Sequence, residues 1–281
     1  MKPRKILVGI DEPDDVDGVL EFAAAEAVRR QCGVHLMHAL SVGSRHGDGS
    51  ELTLSSDTLQ HAGTDALVKG AQQLEELLHD ELSVTTELVH DSAVSALNEA
   101  SPHACLVLLQ RRPKPGVAHG LRSVVNGVAA HAAAPVLVVP SSWRRSGERA
   151  PVVVGVGETE VSGSLVSAGL EMARRSGTGL RLVHARPDGQ SSPEGAATSG
   201  RDAFAELLAE YPDVQVESRV HQGAPEDTLV AAGETASLVV IGRHHRRHRM
   251  GPRLGSTARA VLAQAPCPVM VVEPGDDGDS G

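Results

Sequence analysis

The stretch VVIGRHHRRHRMGPRLGST, from Val239 to Thr257, contains the succession of elements that indicates both the fold and the binding site of this chain. It opens with the apolar end of a buried strand, passes through Gly242 into a loop rich in Arg and His, and reaches Gly255 and Ser256, where a helix is predicted. Backbone N–H groups at a helix N-terminus point outward and carry partial positive charge. A strand, a basic loop containing glycine and a helix start together predict a phosphate-binding site.

The same succession of elements occurs twice along the chain. Short apolar segments predict buried parallel strands, and the segments between them show helical spacing. KILVGID (Lys5–Asp11) begins one copy and PVVVGVG (Pro151–Gly157) begins the other. Alternating strands and helices predict right-handed crossovers and an α/β fold with helices on both faces of a parallel sheet. The two copies therefore predict two related domains.

The domain boundaries follow from the composition of the segments between the copies. We predict domains at residues 1–140 and 151–273, a linker at 141–150 (SSWRRSGERA), and a disordered tail at 274–281, which lacks apolar residues. In the first domain, Ser41–Gln60 is rich in Gly, Ser and Asp and predicts a mobile loop, and Thr64–Leu82 predicts the helix that follows it.

Composition narrows the class of protein. A net charge of -10 over 281 residues argues against a general nucleic-acid binder, and the absence of a long apolar run argues against a membrane span. The first strand follows the N-terminus at once, which predicts a cytoplasmic protein without a signal peptide. Cys32, Cys105 and Cys267 follow no metal or disulfide pattern, so they are interpreted as small buried residues in a reducing compartment.

Taken together, these features resemble the tandem universal stress proteins. The resemblance covers nearly all of both halves and rests on the ILVGID start, the LMHA and LVHA strands, the glycine loop after the fourth strand, and the closing APVLVV and CPVMVV strands. It implies two repeated doubly wound α/β domains, each with a five-stranded parallel sheet in the order 3-2-1-4-5. It also implies that the fifth strands, Val136–Val139 and Val269–Val272, pair as a pseudo-dimer within the chain, and that homodimers are possible.

Many proteins of this family bind ATP through the pattern Gly, two residues, Gly, nine residues, Gly, then Ser or Thr. The second half keeps this spacing in Gly242, His245, Gly255 and Ser256, with His245 in place of the second Gly. The resemblance implies that the two glycines let the loop approach the phosphates. Donors would come from Ser256 and Thr257, positive charge from Arg243, Arg246 or Arg253, and Mg²⁺ would accompany the nucleotide.

Fewer residues of the family's nucleotide-binding pattern are present at the adenine end of the second domain and in the first domain as a whole. In the family an Asp that ends the first strand contacts the adenine end; Asp11 stands there in the first domain and Gly157 in the second. The residue after the His of the second strand, which contacts adenine, corresponds to Ala39 and Ala185. The first domain's phosphate loop keeps only Ser123 and Val124, because Gln110, Pro113 and Arg122 stand at its glycine positions. We therefore predict nucleotide binding mainly in the second domain.

Catalysis and metal binding are less favoured. His38 and His184 recur on central strands without a nucleophile pattern nearby, so we interpret them as hydrogen-bonded core or rim residues. Flanking Arg residues disfavour a cation at His244, His245 and His248. No Walker-type Lys or metal-binding Asp set is recognised for phosphoryl transfer. The expectation is a stress-response protein that senses or stores an adenine nucleotide and is not an enzyme. The alternative is an interaction module of the same fold that has lost nucleotide binding.

Overall fold

A computed structural model describes residues 4–11, 16–40, 56–112, 124–144, 149–157, 163–186, 204–243 and 254–273. The chain divides into two compact units, Met1–Ser141 and Ser142–Gly281. His245, Ser123, Pro113 and Arg122 lie outside the described residues, as do the predicted tail and part of the predicted linker.

The first unit is a doubly wound α/β domain. Its strands are parallel and stand in the order β3-β2-β1-β4-β5, which confirms the predicted order. In chain order its elements are β1 (Lys5–Gly9), α1 (Asp17–Arg30), β2 (Val34–Ala39), α2 (Ser56–Leu78), β3 (Val84–Val89), α3 (Ala93–Ala100), β4 (Ala104–Arg111), α4 (Val124–His131) and β5 (Val136–Pro140).

The second unit repeats this arrangement. Its parallel strands stand in the equivalent order β8-β7-β6-β9-β10. The elements are β6 (Val152–Val156), α5 (Gly163–Ser176), β7 (Leu180–Arg186), α6 (Ala205–Ala209), β8 (Val216–Gln222), α7 (Pro225–Gly233), β9 (Leu238–Gly242), α8 (Ser256–Gln264) and β10 (Val269–Val272).

Glycines on the strands and helices allow the layers to approach closely. In the first unit α1 contacts α2, and α3 contacts α4, so that each pair covers one face of the sheet. A Cβ atom on Gly9 of β1 would lie 2.8 Å from the side chain of Leu109 and 3.1 Å from that of Leu97 in α3. The equivalent Gly155 of β6 meets Leu229 of α7, whose Cδ1 would lie 2.9 Å from the added atom. The repeat seen in the sequence therefore extends to the helix-to-sheet contacts.

The prediction of a loop at Ser41–Gln60 is wrong for its last five residues. Helix α2 begins at Ser56, whereas residues 41–55 lie outside the described part of the chain. Residues 57–62 are all exposed, and only Leu59 and Ala62 among them are apolar. Gly63 is the first buried residue of this helix, and a Cβ there would lie 2.7 Å from Cδ2 of His38. The start of this helix, which is mostly polar in sequence, therefore lies close to β2 at Gly63.

Candidate functional site

The carboxyl ends of β6, β7 and β9 form the edge of the sheet where the second domain's predicted residues gather. The strand order reverses at β6, which has β7 on one side and β9 on the other, and ligands of doubly wound sheets bind at such a point. Gly157 follows β6 directly, Ala185 lies near the end of β7, and Gly242 ends β9. Since Val156 pairs with His184, Gly157 and Ala185 lie side by side.

Two backbone hydrogen bonds hold the start and the end of the basic loop together. The Arg243 N–H donates to the Val272 carbonyl at 3.1 Å, and the Gly255 N–H donates to the Arg243 carbonyl at 2.7 Å. Residues 244–253, with His245, lie outside the described residues, but both flanks of this segment are anchored at the end of β9. The N-terminus of α8 is therefore held at the carboxyl edge of the sheet.

Gly255 is the residue that caps α8. Its φ of -67° and ψ of 165° are extended values that any residue adopts. Glycine is therefore not needed here for its backbone conformation, and what distinguishes it is the absence of a side chain. The Arg259 N–H donates to the Gly255 carbonyl at 3.1 Å and begins the intrahelical ladder. The amides of Ser256, Thr257 and Ala258 precede that bond, so they have no acceptor within the helix. Ser256 is exposed and Thr257 is half-buried, which leaves this helix end open to an anion.

Arg243, which is predicted to neutralise phosphate charge, forms an ion pair at the end of β10. Its side chain is only 3% exposed, and its Nη1 donates to Oε2 of Glu273 at 3.2 Å. Glu273 itself is 65% exposed and directly follows β10. In this arrangement the Arg243 guanidinium helps to anchor the loop to the end of β10. To reach a phosphate, it would have to exchange the Glu273 carboxylate for the phosphate oxygens.

The corresponding edge of the first domain keeps fewer residues of the nucleotide-binding pattern. Asp11 is exposed beyond β1, Ala39 ends β2, and Val124 begins α4 and is 40% exposed. Gln110 pairs with Val139 in β5, as Gly242 pairs with Val272 in β10, so the two positions are equivalent. The amide oxygen and nitrogen of Gln110 are both buried without a hydrogen-bond partner among the described residues. A bulky amide therefore stands where the second domain has a glycine.

The histidine that recurs on the second strand of each domain is hydrogen-bonded in one domain and buried in the other. Nδ1 of His38 donates to the Ile10 carbonyl at 3.0 Å, which confirms the interpretation of His38 as a hydrogen-bonded rim residue. His184 is buried at the equivalent position on β7. Within the described residues, no three metal-ligating side chains come together, and no helix combines the length and apolarity needed to cross a membrane.

Sequence reasoning missed a contact between two cysteines of the first domain. The Sγ atoms of Cys32 and Cys105 lie 3.8 Å apart, although 73 positions separate the residues. Cys32 and Cys267 are buried as predicted, but Cys105 is partly exposed. Nothing in the spacing of the cysteines indicates this pair. The predicted strand order contains a signal, because Cys32 and Cys105 lie near the amino ends of the two strands that flank β1.

Fold and site together define a duplicated, doubly wound α/β protein with an open helix N-terminus at the carboxyl edge of one sheet. The sequence model of the universal stress protein family matches residues 2–140 and 148–273. The chain therefore belongs to the universal stress protein family, and the resemblance seen in the sequence is confirmed.

Individual relatives match nearly the full length of the chain. A universal stress protein of Mycolicibacterium smegmatis is 32% identical over 96% of this chain and 97% of its own length. One from Mycobacterium tuberculosis is 29% identical over 96% of this chain and 98% of its own. The crystal structure of a universal stress protein from Archaeoglobus fulgidus covers 98% of both chains with a TM-score of 0.74 and 18% identity, and so shows the same fold.

Proposed function

We propose that this universal stress protein binds an adenine nucleotide, ATP in particular, mainly in its second domain, and acts as a sensor or regulator rather than as a catalyst. The observation that carries the proposal is the bond from the Gly255 N–H to the Arg243 carbonyl at 2.7 Å. It holds the open N-terminus of α8 at the carboxyl end of β9, beside the switch point at β6.

The phosphates are assigned to the start of α8. The amides of Ser256, Thr257 and Ala258 are directed away from the helix body, and the helix dipole favours an anion at this end. The segment 243–253 contains five Arg residues in a chain whose net charge is -10, so positive charge is concentrated beside this helix start. Arg side chains then compensate for His245, which replaces the second glycine of the ATP-binding pattern.

The adenine end is assigned to the space beside Gly157 and Ala185. These residues are small and adjacent at the ends of β6 and β7, where a bulky side chain would obstruct a planar base. Gly157 cannot supply the carboxylate that Asp11 supplies at the equivalent place, so binding of the base relies on shape and on backbone groups. Mg²⁺ would be held chiefly through the phosphates, as is usual for this ion.

The first domain contributes little to this proposed activity. The Gln110 amide stands at the position of Gly242. In the sequence comparison of the two halves, Arg122 corresponds to Gly255. Asp11, Ala39, Ser123 and Val124 remain as a partial set. The proposal therefore gives one functional nucleotide site per chain.

The second candidate is an interaction module that has lost nucleotide binding. The contact between Arg243 and Glu273 favours it, because the guanidinium is already neutralised and only 3% exposed. Such a module would recognise its partner in the same way whether or not ATP is present. A pull-down that recovers the same partner with and without ATP supports this candidate, and strict dependence on ATP contradicts it.

Calorimetric titration of the full chain with ATP and Mg²⁺ tests the first candidate. Gly255→Arg places at the helix cap the residue type that the first domain has at Arg122, and we expect it to weaken ATP binding at least about tenfold, a cost of about 1.4 kcal/mol. Ser123→Ala, at the position of the first half that corresponds to Ser256 in sequence, is the control and should leave the affinity unchanged. No heat of binding at millimolar ATP would remove the proposal. Unchanged affinity in Gly255→Arg would show that the site lies elsewhere.

A further inference from the structure

We infer that Cys32 and Cys105 form a redox site in the first domain, where a hydroperoxide converts the two thiols into an intramolecular disulfide. The two Sγ atoms already lie 3.8 Å apart. This site is independent of the proposed nucleotide site, because it lies near the amino ends of β2 and β4, whereas nucleotides are assigned to the carboxyl edge of the other domain.

The local backbone brings the two sulfur atoms together. Cys32 lies between α1 and β2, where its N–H donates to the Ala27 carbonyl at 3.1 Å and closes the end of the helix. Cys105 is the second residue of β4. The pairing of β4 with β1 shifts at this residue: Lys5 lies opposite Ala104, but Ile6 lies opposite Leu106. Cys105 is thus the extra residue of a bulge, and bulges redirect side chains.

The two thiols differ in their access to solvent. Cys105 is partly exposed, whereas Cys32 is only 7% exposed. Cys105 is the more exposed of the two residues, so it is assigned as the thiol that attacks the oxidant, and Cys32 as the resolving thiol. Disulfide formation in two steps needs one thiol of each kind.

Charge and hydrogen bonding favour the same assignment. The hydrogen bond from Cys32 and, to a lesser extent, the nearby Arg30 guanidinium lower the pKa of Cys105 to about 7 against the opposing effect of burial. The same contact, together with burial, raises the pKa of Cys32. Cys105 is thus the thiol of the pair that loses its proton more readily near neutral pH, and the thiolate is the reactive form.

The reaction balances with a hydroperoxide as the oxidant. The Cys105 thiolate attacks the terminal peroxide oxygen, the O–O bond breaks, and the leaving alkoxide or hydroxide takes up a proton. Cys105 is then a sulfenic acid. The Cys32 sulfur attacks the Cys105 sulfur, the S–O bond breaks, and the hydroxyl leaves as water with the Cys32 proton. Two thiols have lost two electrons to the peroxide, and a dithiol reductant reverses the change.

Peptide mapping of the oxidised full chain tests the inference directly. The reduced protein is treated with hydrogen peroxide, remaining thiols are blocked with N-ethylmaleimide, and peptides are analysed without reduction. We expect a linked peptide pair containing Cys32 and Cys105, lighter by two hydrogen atoms and separated again by dithiothreitol. Cys267 should remain available to the blocking reagent once the chain is unfolded. Cys267→Ser is the matched control and should give the same linked pair.

Two further variants assign the roles of the sulfurs. In Cys32→Ser, Cys105 should stop at the sulfenic acid, which dimedone traps. In Cys105→Ser, Cys32 should stay reduced at the same peroxide dose. Links between chains, links that involve Cys267, or two free thiols at a dose that fully oxidises cysteine in solution would overturn the inference. The wild-type map alone decides this, so the outcome does not depend on how well the variants fold.

Discussion

Oxidation of the cysteine pair should stabilise the first domain and leave the second unchanged. A bond between Cys32 and Cys105 closes a loop between residues 73 positions apart. In the chain-entropy description, a loop of this length removes freedom from the unfolded chain worth about 4 kcal/mol. Because the sulfur atoms must move from 3.8 Å to a bond length of about 2.0 Å, some native strain reduces this gain.

Hydrogen exchange measured on peptides is the suitable assay, because a chain of two units need not unfold in a single step. We expect the best-protected amides of β1, β2 and β4 to exchange up to about 10³-fold more slowly after oxidation, since each tenfold corresponds to about 1.4 kcal/mol. The peptides of β6, β7 and β9 in the same sample are the internal reference.

Three outcomes would refute the reasoning. Equal slowing in both units would indicate a general effect of oxidation rather than a local link. No slowing in the first unit, despite a mapped Cys32–Cys105 bond, would show that strain cancels the entropic gain. Faster exchange would show that the bond distorts β4. The double variant Cys32→Ser/Cys105→Ser, treated with peroxide, should show no change.

Four further predictions test the two sites and the packing. Alkylation of Cys105 by iodoacetamide should reach half its maximal rate near pH 7 and slow at lower pH, because the thiolate is lost. Mass spectrometry measures the alkylation rate. In Cys32→Ser the pH of the half-maximal rate should rise. Glu273→Gln should remove the charge of the carboxylate that pairs with the Arg243 guanidinium and so strengthen ATP binding by about threefold to tenfold. Calorimetry should also show a steeper salt dependence, and unchanged affinity would place Arg243 outside the site. Gln110→Leu should raise the free energy of unfolding in urea by about 1 kcal/mol, because a buried amide without a partner is replaced by an apolar group, and a decrease would reveal a partner. Gly155→Ala should lower the free energy of unfolding by about 1–3 kcal/mol, because the added methyl group clashes with Leu229. Adding Leu229→Ala to the same chain should relieve part of this clash.

The architecture was predictable because its determinants are local and repeated. Short apolar runs such as ILVG and VVVG, each followed by a helical pattern, predict buried strands of a parallel sheet. Two copies of this pattern predict two copies of one fold. The positions of Gly242 and Ser256 followed from the same argument, since the loop after a parallel strand emerges at the carboxyl edge of the sheet.

The tertiary structure alone decided which side chains are neighbours across long distances in sequence. Cys105 lies opposite the shift of register between Lys5 and Ile6 and 3.8 Å from Cys32, and no local pattern encodes that shift. The contact of Arg243 with Glu273 depends likewise on how β9 and β10 lie beside each other. Helix α2 begins among mostly polar residues, and the approach of its Gly63 to His38 is visible only in the structure. Sequence determines the elements and their order through local burial, whereas register and close packing determine which residues meet.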